Sequence, residues 1–291
     1  MKISLNWLRQ FVHTHWSAAQ ISELLTDLGL EVEGIHTYES IPGMLDGMVV
    51  GKVLTCEKHP NADKLKVTSV DVGKDEPLSI VCGAPNVDKG QTVIVATVGS
   101  TIYPIHGEPF KIKKAKIRDQ MSMGMICAED EIGVGQSHDG IIVLDNKWKP
   151  GTAAHEVFSP ESDQVFEIGL TPNRADAMSH MGVARDLKAG WLQQGIQIKL
   201  VTPSVNDFHI DQSLKPILVD VLDAKAAPRY CGVRISGVSV GPSPAHIQNK
   251  LKAMDSVRST ISLIRQITSC TKSDNLYMPL MRKKLLPIPL K

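Results

Sequence analysis

Aromatic residues are scarce in this sequence, and so is any excess of charge of one sign. Phenylalanine, tryptophan and tyrosine together make up 4% of its 291 residues, which argues against a single-strand binder built on many stacking side chains. Lysine and arginine minus aspartate and glutamate give 32 − 31 = +1. That balance excludes a strongly basic nucleic-acid coat and a polybasic membrane anchor. No apolar run approaches the roughly 20 residues that a membrane-spanning helix needs.

The cysteines are few and widely spaced. No two of them form a CxxC pair, so neither a disulfide framework nor a zinc ribbon is supported. The first residues lack the basic-then-apolar order of a secretory signal, and we expect a reducing, cytoplasmic location. The five cysteines are Cys56, Cys82, Cys127, Cys231 and Cys270.

Motifs of self-contained active sites are also missing. The sequence contains no GxGxxG, GxxxxGKS/T, GxSxG or HExxH pattern. Cys82 and Cys127 lie in apolar segments without an adjacent histidine, which favours buried structural thiols over nucleophiles. Cys56 and His59 have a ligand-like gap, but no second pair accompanies them. We therefore predict no catalytic residue and no metal site in this chain.

Charge is distributed unevenly along the chain. Residues 51–120 contain 11 basic and 8 acidic side chains, whereas residues 256–291 contain 7 basic side chains and one acidic side chain. Without those last residues the net charge would be 1 − 6 = −5. Any basic binding face must therefore be a local patch within residues 51–120.

The middle of the chain is rich in short β-type runs separated by proline, glycine, asparagine and aspartate. Several short strands at this spacing predict a small barrel or sandwich. The predicted strands are Met48–Leu54, Lys66–Val72, Leu78–Val81 and Thr92–Val98.

The flanking segments show a mixed pattern. A helix is expected to begin after Ser17 as N-cap and to end at Gly29. The polar stretch Pro203–Ser213 is the best linker candidate. Further predicted elements are a strand at Val165–Leu170, a helix at Ala177–Gln194, strands at Pro216–Leu222 and Tyr230–Val240, and a helix capped by Ser243 that runs through Met254.

A turn with the sequence His-Pro-Asn-Ala-Asp-Lys-Leu, residues 59–65, joins two predicted strands. One interpretation is structural, since asparagine and aspartate bond their own backbone and close loops. The other is that Lys64 and Lys66 leave the turn toward a phosphate backbone, where cations at fixed spacing bind without reading bases. The residues alone leave both interpretations open.

A second candidate is the cationic run Lys111–Arg118, which has five cations in eight residues and no acid between them. As one strand it would place Lys111, Lys113 and Ala115 on one face and Ile112, Lys114 and Lys116 on the other. Lysines on an edge strand can simply block sheet-to-sheet aggregation. They can equally contact phosphates, and we weigh the two hypotheses evenly.

Seven segments, in order and spacing, resemble the start of bacterial phenylalanyl-tRNA synthetase β subunits. The His-Pro-Asn-Ala-Asp-Lys turn alone is shared with stand-alone tRNA-binding OB domains, whereas its combination with Thr-Pro-Asn-Arg-Ala-Asp is specific. The segments are Met1–Leu8, Gly29–Glu33, His59–Leu65, Ile80–Asn86, Gly124–Cys127, Thr171–Asp176 and Gly182–Asp186.

The resemblance implies an α+β chain in which an OB-like β-barrel tRNA-binding domain, about residues 39–148, is inserted into a small α+β domain. Residues 1–38 and 149–200 would form that host domain. Residues 210–254 would be the start of an incomplete editing domain. The structural motif residues it highlights are His59, Pro60, Asn61, Asp63, Thr171, Pro172, Asn173, Arg174 and Asp176.

The resemblance also implies an activity, the ATP-dependent attachment of phenylalanine to its tRNA by an (αβ)₂ heterotetramer that uses magnesium. The aminoacylation site would lie on the α subunit, and this chain would supply scaffold and tRNA contacts without membrane or DNA partners. We expect it to bind neither ATP nor magnesium and to be inactive by itself. Charge and placement give the candidate tRNA contacts as Lys64, Lys66, Lys111, Lys113, Lys114, Lys116 and Arg118.

The alternative function is a free-standing OB-fold tRNA-binding protein with no ligase role. Such a module has no need of residues 1–38 and 149–200, so their presence favours the synthetase.

The last residues depart from the family. Back-translation of Ser259–Leu286, read from the third base of each codon, gives a string that resembles the family's own continuation. We therefore expect a frameshift near Asp255 that truncates the C-terminus and leaves 256–291 as an unselected, disordered tail.

Overall fold

The computed structural model describes residues 1–213, 219–230, 237 and 241–255. In these residues the chain divides into two compact units. One unit is Thr37–Asp163, and the other combines Met1–His36 with the described residues from Gln164 onward. None of the described helices is long and apolar enough to cross a bilayer.

The described chain alternates short strands with five α-helices. In chain order the elements are β1 (Lys2–Ser4), α1 (Leu5–Leu8), α2 (Ala18–Asp27), β2 (Glu31–Glu39), β3 (Met48–Lys58), β4 (Lys66–Asp71), β5 (Leu78–Cys82), β6 (Thr92–Thr97), β7 (Thr101–Ile102), β8 (Phe110–Lys111), β9 (Ala115–Ile117), β10 (Gln120–Ser122), β11 (Gly124–Ile126), β12 (Val143–Leu144), α3 (Ala154–Phe158), β13 (Ser162–Gly169), α4 (His180–Gln193) and α5 (Ala245–Ala253).

The unit that contains the chain start is built on a three-stranded sheet in the order β1-β13-β2. β1 and β13 are antiparallel, with Ile3 opposite Phe166. Both side chains are fully buried, together with Trp7 and Trp191 from the helices. One apolar core therefore joins strands and helices that are more than 150 residues apart in sequence, because the register pairs Ser4 with Val165.

Helix α2 begins as predicted. The Ser17 hydroxyl accepts from the Gln20 backbone N–H, and the Gln20 side chain accepts from the Ser17 N–H, which completes a capping box. The helix ends before Gly29, whose φ of +82° lies in the left-handed region that glycine tolerates best.

Helix α4 begins three residues later than predicted. Ala175–Ala177 form a short 3-10 turn, and the Ser179 hydroxyl then caps α4 by accepting from the Gly182 N–H. Met178 precedes the helix and is 59% exposed, so it does not belong to the apolar helix face.

The second half of this unit departs from the sequence expectations in two described places. Helix α5 starts after Pro244, and no side chain caps it, so the prediction that Ser243 is its cap is wrong. Of the predicted strand at 216–222, the described residues 219–222 lie in no strand, and most of the strand predicted at 230–240 lies outside the described residues. The predicted tail, 256–291, also lies outside them.

The unit Thr37–Asp163 is built on an antiparallel six-stranded sheet. Its order is β11-β6-β3-β4-β5, with β12 also pairing with β6. The sheet curls until β5 approaches the segment that precedes β11, where the Met123 N–H donates to the Ser79 carbonyl at 2.8 Å and the Val81 N–H donates to the Ser122 hydroxyl at 3.1 Å. The structure thus confirms the predicted barrel and its four strands.

Strand β6 lies between two apolar clusters. Its alternate residues Val93 and Val95 point into the cluster inside the barrel, whereas Ile94 and Ala96 pack on the other side. All four are fully buried. This explains why β6 is a continuous apolar run and not an alternating one: a strand with no solvent face needs apolar residues at every position.

One asparagine ties the loop that follows β5 to the segment that precedes β12. The Asn86 amide donates to the Ile141 carbonyl at 3.0 Å, and its carbonyl oxygen accepts from the Ile141 N–H at 2.9 Å. A Cβ at Gly140 would lie 2.3 Å from the Asn86 side chain, so the contact requires glycine there.

We predict that Asn86→Ala destabilises this unit by about 1–3 kcal/mol, because both backbone groups of Ile141 are left without their partner. Urea unfolding followed by circular dichroism measures the change. Lys74→Ala, at an exposed position of the same unit, is the control and should leave the midpoint unchanged. Equal midpoints for the two variants would contradict the role of Asn86.

The Thr-Pro-Asn-Arg-Ala-Asp motif forms a turn stabilised by ion pairs in the other unit. The guanidinium of Arg174 bonds both Asp176, at 3.1 Å, and Asp186 on α4. The hydrogen bond from Arg174 lowers the pKa of Asp176, and the bonds to Asp176 and Asp186 raise the pKa of Arg174. These contacts fix the entry into α4.

A pH dependence follows from the lowered pKa of Asp176. Its ionised form is favoured in the folded state, so its contribution is present above the ordinary carboxyl pKa and is lost as the pH falls through the lowered pKa. We expect Asp176→Asn to be less stable than the parent chain at pH 7, with the difference closing in acid. Urea midpoints across a pH series test this, and a difference that is constant with pH would contradict it.

Candidate nucleic-acid interface

The His-Pro-Asn-Ala-Asp-Lys-Leu turn joins β3 to β4 at one end of the barrel. The His59 N–H donates to the Leu65 carbonyl at 3.0 Å, which closes the turn at its base. Inside the turn, Nδ1 of His59 accepts from the Asn61 N–H at 3.0 Å. The side-chain contact expected from an asparagine or aspartate is therefore supplied by a histidine.

The other ring nitrogen of His59 reaches a different element. Its Nε2 lies 3.2 Å from the Ile117 carbonyl in β9, and the residue is 5% exposed. Since Nδ1 accepts a hydrogen bond, the proton is on Nε2, which donates to that carbonyl. The turn and the β9–β10 hairpin are thus tied together by one neutral imidazole.

The cationic run Lys111–Arg118 does not form one continuous strand. Lys111 ends β8, which pairs with β7, whereas Ala115 begins β9, which pairs with β10. Ile112 between them is buried, and its N–H donates to the Ser100 carbonyl at 2.9 Å. The run is therefore interrupted at the buried Ile112, and the two-face alternation of a single strand does not hold.

The run ends in a tight turn with unusual backbone. Arg118 and Asp119 have φ values of +45° and +75° and connect Ile117 to its partner Gln120. Two positive φ values are typical of a type I′ hairpin turn, where asparagine and glycine are usual. The Arg118 guanidinium donates to the Asn61 carbonyl at 3.4 Å, so this strained tip contacts the His59 turn a second time.

Next to the turn is a cationic hollow of about 310 Å³. Its charged lining residues are Lys58, Asp63, Lys64 and Lys66, and its wall is completed by Leu65, Gly83, Ala84 and Pro85. Lys58 is the last residue of β3 and is exposed, and sequence reasoning missed it. The sequence feature that could have identified Lys58 is its position directly before His59, the first residue of the candidate turn.

Lys66 differs from the other two lysines of this hollow. Its ammonium donates to the Val87 carbonyl at 2.6 Å and to the Pro85 carbonyl at 3.4 Å. Most of its donor capacity is thus used to hold the loop that follows β5.

A second hollow, of about 520 Å³, adjoins the first. It lies between β5 and the strands β9 to β11, and most of its lining is apolar or backbone. Lys113, Glu131 and His138 line it as charged or titratable groups. The hydrogen bond that His138 donates to the Asp130 carboxylate raises the pKa of His138.

The remaining candidate cations are exposed but line neither hollow. Lys116 pairs with Asp119 at 2.9 Å, within the hairpin. Lys111 and Lys114 lie on the same run and are exposed. The structure therefore brings Lys64 and Lys66 together with Lys58 in the cationic hollow and places Lys113 in the adjoining one. The other candidate cations, Lys111, Lys114, Lys116 and Arg118, are exposed on the same unit.

The three described cysteines lack the lowered pKa that a nucleophilic thiolate needs. Burial raises the pKa of Cys127, Cys82 and Cys56 above that of an ordinary thiol. A raised pKa suppresses the reactive thiolate, which agrees with structural thiols. Among the described residues no group of three or more histidine, cysteine, aspartate and glutamate side chains could hold a metal ion.

Comparison with known proteins shows which families this chain is similar to. Residues 48–153 match the family model described as "Putative tRNA binding domain". The chain is 50% identical over 252 residues to the phenylalanine–tRNA ligase beta subunit of Bacteroides fragilis and 51% identical over 255 residues to that of Porphyromonas gingivalis. Each match covers 87% of this chain and 31% of the relative.

The similarity extends to relatives of lower sequence identity. The beta subunit of Chlorobaculum tepidum is 41% identical over 253 residues and is matched over 30% of its length. The chain thus spans about a third of the length of the curated relatives it matches. These matches confirm the resemblance to phenylalanine–tRNA ligase beta subunits and the presence of a tRNA-binding domain.

We predict that His59→Ala destabilises the unit Thr37–Asp163 by roughly 1–3 kcal/mol, because it removes both the hydrogen bond that links the turn to β9 and the one that orders the turn itself. His106→Ala, an exposed histidine of the same unit, is the matched control and should have little effect. Urea unfolding of both variants tests this, and an unaltered midpoint for His59→Ala would refute the proposed tie.

Proposed function

We propose that this chain acts as the tRNA-contacting and scaffolding part of a phenylalanine–tRNA ligase beta subunit. In this proposal it works with an alpha subunit in an (αβ)₂ heterotetramer that attaches phenylalanine to its tRNA. Support comes from the identity of about one half to named beta subunits over 87% of the chain. The alternative of a free-standing tRNA-binding protein is not favoured, because that similarity extends well beyond residues 48–153.

The observation that carries the proposal is the local cationic surface on the unit with the tRNA-binding match. Lys58, Lys64 and Lys113 are exposed, in a chain whose net charge is only +1. Phosphate oxygens of RNA attract cations of this kind whatever the base sequence, so such contacts position the RNA without specifying it. The positive charge of these lysines is therefore concentrated where it can contact the RNA phosphate backbone.

Within this proposal the seven predicted cations have different tasks. Lys64, joined by Lys58, contacts phosphates directly, and Lys113 does so from the adjoining hollow. Lys66 keeps the loop after β5 in place through its two carbonyl contacts. Arg118 positions the hairpin through Asn61, while Lys111, Lys114 and Lys116 add to the attraction at longer range.

The holoenzyme's ATP and magnesium belong elsewhere in this proposal. The charged lining of the cationic hollow is mainly lysine, which repels a metal cation. We derive no catalytic step through ATP or magnesium on this chain and assign the aminoacylation site to the alpha subunit, as the family resemblance implies.

We further propose the domain boundaries suggested by the family resemblance. Residues 39–148 form the inserted OB-like domain, and residues 1–38 and 149–200 form its host. The compact unit Thr37–Asp163 and the family match over residues 48–153 support an insertion of about this extent. The start of an editing domain at residues 210–254 remains a prediction.

The test is binding of phenylalanine tRNA to the full chain as a function of salt. Affinity should fall steeply with salt, and Lys58→Ala with Lys64→Ala should both weaken binding and flatten the slope of log affinity against log salt. The slope should change by roughly 0.7–0.9 for each phosphate that the variant no longer neutralises. Lys74→Ala with Lys149→Ala removes the same charge from exposed positions outside both hollows.

The control pair should leave the slope close to that of the parent chain. A flat salt dependence in the parent chain would overturn the proposed phosphate contacts. Equal effects of the two double variants would show that net charge, and not the cationic hollow, determines binding.

A further inference from the structure

The two hollows of the barrel unit form one continuous surface. Four residues, Leu65, Gly83, Ala84 and Pro85, line both of them. The cationic hollow of about 310 Å³ therefore opens directly onto the second hollow of about 520 Å³, which we call the apolar groove. This juxtaposition of charge and apolar wall is a distinct feature, since phosphate contacts alone need no groove.

The cationic hollow suits a phosphate. Lys58, Lys64 and Lys66 against Asp63 give 3 − 1 = +2 for its charged lining residues. Within the described part of the chain, Lys58 and Lys64 have no ion pair, so both ammonium groups are available to a ligand. Lys66 is already occupied by the loop carbonyls.

The apolar groove suits a flat, weakly polar group. It is lined by side chains such as Val81, Ala115 and Met125, with Lys113 and Glu131 as charged members. The Glu131 carboxylate accepts from the Ala128 N–H at 2.6 Å, which fixes its orientation beside the groove. Its volume lies in the range of natural small-ligand pockets.

The wall of the groove is held in place before any ligand binds. The β9–β10 hairpin supplies Ala115, Ile117 and Ser122 to the lining, and His59 and Arg118 tie this hairpin to the turn that borders the cationic hollow. A preformed wall reduces the entropy that binding would otherwise cost.

We propose that this composite site takes one unpaired nucleotide of the RNA, with its phosphate between Lys58 and Lys64 and its base in the apolar groove. A paired base stays stacked inside the RNA helix, whereas an unpaired base can be splayed out and enclosed by protein. The inference rests on the proposed function, because it assigns a substrate class to the same surface. It adds that unpaired RNA is preferred over continuous helix.

The test compares two RNA hairpins with the same stem, one fully paired and one carrying a single bulged uridine. The full chain should bind the bulged hairpin at least fivefold more tightly, as measured by fluorescence anisotropy at fixed salt. Ala115→Glu places bulk and negative charge in the groove and should reduce the ratio of the two affinities to about one.

Met121→Glu is the matched control. Ala115 pairs with Ser122 and Met121 pairs with Lys116, so the two substitutions lie on opposite faces of the same hairpin and change the charge equally. Met121 does not line the groove, and Met121→Glu should weaken both hairpins alike and keep their ratio. If Ala115→Glu fails to fold, Lys113→Ala against Lys114→Ala gives the same comparison.

Equal affinities of the parent chain for the two hairpins would overturn the unpaired-nucleotide site, and so would a preference that survives Ala115→Glu. Either result would leave the phosphate contacts standing if phenylalanine tRNA still binds with a steep salt dependence. Loss of that salt dependence would instead refute the proposed function itself.

Discussion

The two ring nitrogens of His59 hold together the surface proposed to contact tRNA. Nδ1 orders the turn after β3, and Nε2 fixes the β9–β10 hairpin, so one buried, neutral imidazole sets the distance between two loops of the barrel. The turn that it orders borders the cationic hollow, and the hairpin that it fixes lines the apolar groove. Without it, Lys58 and Lys64 would still be cationic, but their spacing relative to the groove would not be defined.

The barrel itself supplies rigidity to that surface. β6 is buried on both faces, and Asn86 ties the loop after β5 to both backbone groups of Ile141. Lys66 then uses its charge internally to hold the loop after β5. Binding groups on loops therefore rest on a scaffold whose own polar groups are satisfied, which is how a small β domain can present charge at fixed spacing.

Sequence reasoning reached the strands and the helix start well, because these depend on local signals. The four barrel strands follow from short apolar runs between turn residues, and Ser17 with Gln20 is a local capping pattern. Sequence reasoning failed where the local structure depends on which side chains the folded core buries. Ile112 is one apolar residue in a cationic run, and nothing local shows that the core takes it and breaks the strand. Lys58 was missed although it directly precedes His59, since only the folded turn brings it beside Lys64.

The central claim is that this barrel face contacts tRNA through the turn and the loop beside it. Hydrogen–deuterium exchange of the full chain with and without phenylalanine tRNA tests it most directly. We predict slower exchange in residues 58–66, 83–90 and 111–118, with unchanged exchange in the Arg174 turn, whose ion pairs serve the fold of the other unit. Unaltered exchange throughout those three segments, with tRNA demonstrably bound, would contradict it.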